Sequence, residues 1–308
     1  LREKDNTIMA QITAAMVKQL RDKSGAGMMD CKKALVENDG DFDKAMTILR
    51  ERGAAIAGKR SGRATKEGLA QIWISDDCHV GAIADLNCET DFVARNDDFK
   101  NLAAKLAAFA GTQECCCDFS SKVVEDGKTV NDLVQEIMGK IGENMSCPRA
   151  AVLRSPDGYI ASYSHTNNKI SALVELAPVS AELAAKDEFK AFARDLAVQA
   201  VACGPLCLSP AEMPAKRIEE EKEVYRAQAL NEGTKEAFVD RVVEGRLKKF
   251  YAESCLLDQV FLKDPNGKQS VRDFIAEKAK AFGVADLAVK QFVRIEVGAE
   301  LDNEEEDK

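Results

Sequence analysis

Histidine is nearly absent from this chain, with only His79 and His165 among 308 residues. Tryptophan occurs once, proline seven times, and none of the ten cysteines forms a C-x-x-C pair. A zinc site of the usual ligand spacing therefore has no support in the sequence. Apolar runs are short, Ala-rich and broken by Lys, Asp or Gln, so no segment reads as a membrane span. The net charge of −9 argues against a broad phosphate-binding surface, which needs clustered Lys and Arg. The one local cluster, Lys59, Arg60, Arg63 and Lys66, reads as a solvated basic connector. No secretory signal pattern is visible, so the cysteines are expected as reduced thiols without a disulfide framework. The run Cys115–Cys117 reads as a neutral loop insertion, with soft-metal binding or oxidation as the alternatives.

What is present is enough for real cores: 45% of residues are apolar and 31% charged. The length suggests about two domains, or one elongated protein of several modules. Residues 1–8 read as an extension. Residues 9–53 read as a three-helix module of the ubiquitin-associated type. Ile12, Met16 and Leu20, with Ala15 beside them, mark its first helix, and Cys31, Ala34 and Leu35 its second. Phe42, Ala45, Ile48 and Leu49 mark a third, capped by Asp41 and ending at Gly53. Met28 and Met29 follow a Gly-Ala-Gly loop; one of them is expected to fill the core, since adjacent helix residues point about 100° apart. Residues 54–67 form the basic connector.

The middle of the chain repeats itself. Sliding the sequence by ninety residues lays residues 68–110 on 158–200 without a gap. Gly68 meets Gly158, Leu86 meets Leu176, Phe99 meets Phe189, and Leu106 meets Leu196. Two α+β subdomains follow, each a strand hairpin with helices on one face: residues 68–149, then 150–210 continued by 255–300. Residues 211–254 are inserted as an antiparallel helical hairpin, a coiled coil, with Phe238, Val242 and Phe250 on its inner stripe. A strand at Val260–Leu262, a helix from Val271 to Phe282 and a strand from Gln291 to Val297 return to the core. The acidic tail, 301–308, reads as solvated.

Within LNCETDFVARNDDF, Leu86 to Phe99, an acid and an aromatic stand side by side just past a strand. Opposite Asp91-Phe92 the second copy has Ala181-Glu182, whereas Thr90 is matched by Ser180, which suits a helix N-cap. A fold that accepts Ala-Glu does not require Asp-Phe, so the pair points to function, with a packing partner for Phe92 unique to the first subdomain as the alternative. Gly142 reads as a helix C-cap.

The runs RDKSGAGMMDCKKAL, LNCETDFVARND, KIGEN, SYSH, VEGRLKKF and FVRIEVG, in this order, resemble the elongation factor Ts family from Met9 to about Glu300. That resemblance implies a guanine-nucleotide exchange factor that binds elongation factor Tu, GDP-bound and nucleotide-free, and is not an enzyme. Asp91 and Phe92 match the pair that intrudes beside the magnesium and nucleotide site. Thr90, Val93, Met28, Met29, Gly142 and His165 fall on the implied Tu contact surface. The helical hairpin matches a protruding coiled coil, giving a homodimer or 2:2 complex as the expected assembly. No cofactor, metal, membrane or direct nucleic-acid partner is implied. Cytoplasm is the expected location, an organelle matrix or stroma the alternative. Ser24 and Arg95 stand where the family favours Thr and Lys, and the end after Val297 is short and acidic where many relatives carry a further module. Rival readings are an RNA-binding protein using the Lys59–Lys66 stripe and a thiol or metal enzyme built on the cysteines.

Overall fold

The computed structural model describes residues 12–24, 26–60 and 62–299, the side chains of residues 50 and 53–60 excepted. The expected extension at 1–8, the start of the ordered pattern at Met9–Gln11 and the acidic tail lie outside the described residues, as do the side chains of Lys59 and Arg60. Three helices come first: α1 (Ala14–Ser24), α2 (Met28–Glu37) and α3 (Phe42–Arg60). They close over Val17, Leu20, Cys31, Ala34, Leu35, Ala45 and Leu49. The expected stripe of Ile12, Met16 and Leu20 packs on this core, joined by buried Val17 of α1, whereas Ala15 is exposed. Asp41 caps α3 by accepting the Lys44 N–H at 3.1 Å. The helix does not stop at Gly53 but runs on to Arg60. One glycine inside an Ala-rich helix costs about 1 kcal/mol relative to alanine, too little to end it.

The next module begins with β1 (Glu67–Ile74) and β2 (Val80–Cys88), paired antiparallel from Glu67 opposite Cys88 to Ile74 opposite Gly81. The one-turn α4 (Asp91–Ala94) and the long α5 (Asp97–Thr112) follow, α5 opening where the Asn96 side chain accepts the Asp98 N–H at 2.8 Å. A small hairpin, β3 (Val123–Glu125) and β4 (Lys128–Thr129), leads into α6 (Val130–Ile141) and β5 (Met145–Arg154). β5 pairs with β2, giving the sheet order β1-β2-β5.

The second module has the same parts: β6 (Tyr159–His165), β7 (Ile170–Ala177), the one-turn α7 (Ala181–Ala184) and α8 (Asp187–Cys203). Two long helices, α9 (Ala215–Asn231) and α10 (Glu236–Ser254), interrupt it. α11 (Val271–Phe282) and β8 (Ala288–Glu296) then complete a sheet of order β6-β7-β8. The interruption hides a further half of the repeat. α6 opens on Thr129, whose hydroxyl accepts the Asp132 N–H, and α11 opens on Ser270, which accepts the Asp273 N–H. Both helices close on a left-handed glycine, Gly142 at φ 84° and Gly283 at φ 75°. The segment Val260–Leu262 is not a strand; its one pairing is an isolated bridge between Val260 and Ser270.

Strand alternation builds the layers. On β2, Ala82, Ala84 and Leu86 face α5 and α6, where Phe99, Leu106 and Leu133 lie. On β7, Ala172, Val174 and Leu176 meet Phe189, Phe192 and Phe274 of α8 and α11. The intervening residues face the other sheet: Ala70, Ile83 and Leu153 pack on Ile160, Leu173 and Ile295. Gly81 permits this approach, since a Cβ there would stand 2.6 Å from Ile160 Cγ2. The order of layers is helix, sheet, sheet, helix.

The helical hairpin is held by Ala229, Val239 and Val243, with Tyr225 and Val242 partly buried. Phe238, expected on the inner stripe, is 56% exposed, and Phe250 instead packs at the hairpin's root beside Cys207, Met213 and Cys255. Cys115 and Cys117 are joined by a disulfide, against the expectation of reduced thiols throughout, and the other eight cysteines are free. Among the described residues no helix is long and apolar enough to cross a membrane.

Candidate partner-docking site

The ladder between β2 and β5 ends at Cys88 opposite Met145. Beyond that pair the chain leaves into α4 on one side and arrives from α6, through Gly142, on the other. Two carboxylates continue the pairing where the backbone ladder stops. Glu143 Oε2 accepts the Thr90 backbone N–H at 3.1 Å, and its Oε1 accepts the Thr90 hydroxyl at 2.8 Å. In return, Glu89 Oε1 accepts the Asn144 backbone N–H at 2.7 Å. The buried Asn144 donates its side-chain amide to the Arg63 carbonyl at 2.6 Å, and the Arg63 guanidinium pairs with Glu89 at 3.2 Å. The Cys88 thiol donates to the Thr90 carbonyl at 3.1 Å. Burial, and after it the nearby Glu143 charge, pushes that thiol up to about 12, so it stays protonated and unreactive.

On this mount sits α4. Its inner side, Val93 and Ala94, is buried against the first core at 6% and 7% exposure. Its outer side carries Phe92, 79% exposed. Asp91 reaches Arg95 one turn on, at 2.9 Å, with Arg95 exposed and Asp91 half-buried. A pair of that kind contributes less than about 1 kcal/mol, so fold stability does not explain it. Val93, expected among the partner contacts, is an anchor of the turn. Thr90 stands at the N-cap position, but its hydroxyl makes no cap bond there; it is given to Glu143. Ser180 in the second module does cap, accepting the Leu183 N–H at 3.2 Å.

The second module serves as an internal comparison. Where the first has Glu89 before its one-turn helix, the second has Val179, buried at 7% exposure in its core. Where Glu143 follows Gly142, Val284 follows Gly283 and packs into that same core. Where Asp91-Phe92 begins α4, Ala181-Glu182 begins α7. The same architecture thus closes with apolar contacts once the acid–aromatic pair is gone.

His165 lies exposed at the end of β6, its Nδ1 3.1 Å from the Tyr163 hydroxyl. The turn after it reaches the first sheet: Asn168 O accepts the Ala70 N–H at 2.7 Å, and Lys169 pairs with Glu67 at 2.5 Å. Glu67 lies opposite Cys88, so this turn and α4 share one end of the first sheet. Gly142 is there as well, one residue before Glu143. Met28 and Met29 sit on the separate helical module, which meets the core where α3 lies against α6. They are 51% and 74% exposed, so neither fills the core. Glu89, Glu143 and Asn144 were not anticipated as site residues. Their signal lay in the repeat, as polar residues in one copy with apolar counterparts in the other.

Among the described residues no group of three or more His, Cys, Asp or Glu side chains could hold a metal ion. An exposed aromatic beside an acid, on a turn seated by buried Val93 and pinned by carboxylates, is the geometry of a protein that works by docking on another. Comparison with known proteins gives this class its family. A family profile described as "Elongation factor TS" matches residues 89–299. An "Elongation factor Ts" of Clostridium perfringens is 41% identical over 302 residues, 96% of each chain. One of Clostridium botulinum is 43% identical over 96% of this chain and 95% of its own. One of Prosthecochloris aestuarii is 45% identical over 94% of this chain and 100% of its own. The chain belongs to the elongation factor Ts family, whose members are nucleotide exchange factors of protein biosynthesis and catalyse no chemical reaction.

Proposed function

We propose that this chain binds elongation factor Tu, GDP-bound and nucleotide-free, and speeds the exchange of GDP for GTP by disturbing Tu's magnesium and nucleotide site. The observation that carries this reading is Phe92, held outward beside Asp91 on a pinned turn and replaced by a polar residue in the second module. An exchange factor needs no nucleophile or base. It must bind the nucleotide-free partner more tightly than the loaded one, and by linkage nucleotide then binds the complex more weakly by the same factor. Phe92 displaces a helix or loop of the partner, and Asp91 perturbs the groups that orient magnesium. Exposed Met28, Met29 and His165, with Gly142 beside the turn, widen the contact surface. The α9–α10 hairpin, with Val224, Leu230 and Phe238 exposed, is a surface for a second copy, giving a homodimer or 2:2 complex. No cofactor enters this scheme, and the cytoplasm is its setting. Use of Arg63 in a nucleic-acid stripe is disfavoured, because Glu89 already holds its guanidinium.

The test is release of a fluorescent GDP analogue from a bacterial-type elongation factor Tu at saturating magnesium. The expected result is strong acceleration, reduced by Asp91→Ala and by Phe92→Ala. No acceleration with a competent Tu overturns the proposal; acceleration untouched by both changes moves the mechanism away from α4.

A further inference from the structure

The reciprocal pairing at the end of the β2–β5 ladder has a property that ordinary packing lacks. Each of two chain segments contributes a glutamate that accepts the other segment's backbone amide: Glu143 from Thr90, Glu89 from Asn144. The two bonded amides are those at which the chain enters α4 and leaves Gly142. The clasp therefore fixes the direction of the one-turn helix relative to the sheet. A helix of one turn has no ladder of its own to do this. Buried Val93 and Ala94 hold α4 down, but apolar contact is non-directional and leaves rotation about the seat less restricted. Hydrogen bonds to carboxylates are directional and short, and they supply the missing restraint.

The second module argues that the fold does not need the clasp. α7 starts at the same place on its sheet, yet Val179 and Val284 occupy the two glutamate positions and join the core. Turning two apolar positions into partly buried carboxylates carries a desolvation cost. That cost is met where the turn presents Asp91 and Phe92, and is avoided where the turn presents Ala181 and Glu182.

We propose that Glu143 is a positioning residue: through Thr90 it holds α4 in the one orientation in which Phe92 and Asp91 engage the partner. The proposal rests on the exchange-factor reading, and its test separates the two. Glu143→Val copies what the second module already uses, so the variant is expected to fold, with a thermal midpoint close to that of the unaltered chain. Hydrogen–deuterium exchange on the free chain is read first and involves no partner. Amides 90–95 exchange faster in Glu143→Val, whereas those of β2 keep their protection. Unchanged exchange across 90–95 overturns the proposal whatever the chain does to Tu.

GDP release from elongation factor Tu is read next, as a titration with the chain. Glu143→Val lowers the maximal rate about tenfold, the scale of one hydrogen bond to a charged group, and leaves the half-saturating concentration in place. Glu143→Gln, which keeps one acceptor oxygen toward Thr90, falls between the two. In a Phe92→Ala background the change at residue 143 adds little, because the wedge it orients is gone. Full additivity of the two losses overturns the positioning role, as does loosened α4 exchange with an unchanged maximal rate. If the unaltered chain releases no GDP, the exchange-factor reading fails and the role of Glu143 in exchange falls with it, while the partner-free measurement still shows whether Glu143 holds α4.

Discussion

Asp85 Oδ2 accepts a hydrogen bond from Arg149 Nε at 3.0 Å in the layer between the two sheets, where Asp85 is 1% exposed. The same guanidinium donates to the Glu296 carbonyl of the other sheet at 2.7 Å, so one arginine ties the modules together through a buried acid. Glu175, in the matching place on β7, is served instead by the neutral Gln291 at 2.7 Å.

Burial dominates at Asp85 and raises its carboxyl from 3.8 to about 6, with Arg149 opposing the rise. The unfolded chain ionises this group first as pH rises, while the folded chain still holds the proton. Asp85 therefore weighs least against folding below pH 3.8, and stability falls as pH climbs from there to about 6, then levels off. The full swing is on the order of 3 kcal/mol. Asp85→Asn carries no charge at any pH, so the difference between its denaturant midpoint and that of the unaltered chain should change across this window. Parallel curves would show that Asp85 ionises as it does in water.

Phe92 and Phe99 are seven positions apart and have opposite fates. Phe99 is fully buried under the first sheet, and Phe92 is 79% exposed. Phe99→Ala is expected to cost about 3–5 kcal/mol in urea unfolding. Phe92→Ala should stay within about 0.5 kcal/mol of the unaltered chain. A large stability loss from Phe92→Ala would make it a packing residue and remove the basis for giving it to a partner.

Much of this fold can be read in the residues. Ninety-residue repetition, the strand alternation of β2 and β7, and the caps at Asp41, Gly142 and Ser180 are local signals, and local signals survive folding. The second half of the repeat was missed because α9 and α10 separate α11 from its partner α6, and an ungapped slide cannot cross an insertion. Ala15 and Phe238 are exposed, while the nearby Val17 and Val239 are buried. All four are apolar, and only the packing partner chooses between them. Helix geometry puts one of Met28 and Met29 in the core, but both are exposed. In the site, Asp91 and Phe92 stood out by contrast with Ala181 and Glu182. The Glu143 clasp did not, because it joins residues 53 positions apart.

Gly111, inside α5, carries a consequence for the only tryptophan. A Cβ at Gly111 would lie 2.3 Å from two carbons of the Trp73 ring, and Arg154 donates to the Gly111 carbonyl at 2.7 Å. Gly111→Ala gains about 1 kcal/mol of helix propensity but forces a rigid indole to move, at about 1–3 kcal/mol or more. Net destabilisation of about 1–2 kcal/mol is expected, with a shift in Trp73 emission. Since Trp73 is the sole tryptophan, fluorescence-detected unfolding reports both at once. A more stable variant with unchanged emission would mean the ring is not fixed against α5.

The helical hairpin rests on very little apolar contact. Ala229, Val239 and Val243 are its buried residues, and ion pairs such as Arg226–Asp240 at 3.1 Å and Arg246–Glu232 at 2.6 Å line its flanks. Exposed pairs of this kind add little, so the valines set its stability. Val243→Ala should cost about 2 kcal/mol, a large share of what holds two isolated helices together. The loss should fall on the hairpin and spare the core, because the root is separately packed by Cys207, Met213 and Cys255. Hydrogen exchange should therefore quicken along α9 and α10 while α5, α8 and the sheets keep their protection. Phe238→Ala, on the exposed face, should leave hairpin protection unchanged in the free monomer. If Phe238→Ala loosens the hairpin in dilute solution as much as Val243→Ala does, its ring packs within one chain; loosening seen only at high concentration means that a second copy of the chain covers it. A concentration series separates that outcome from a packing role within one chain, since only contact between copies weakens on dilution.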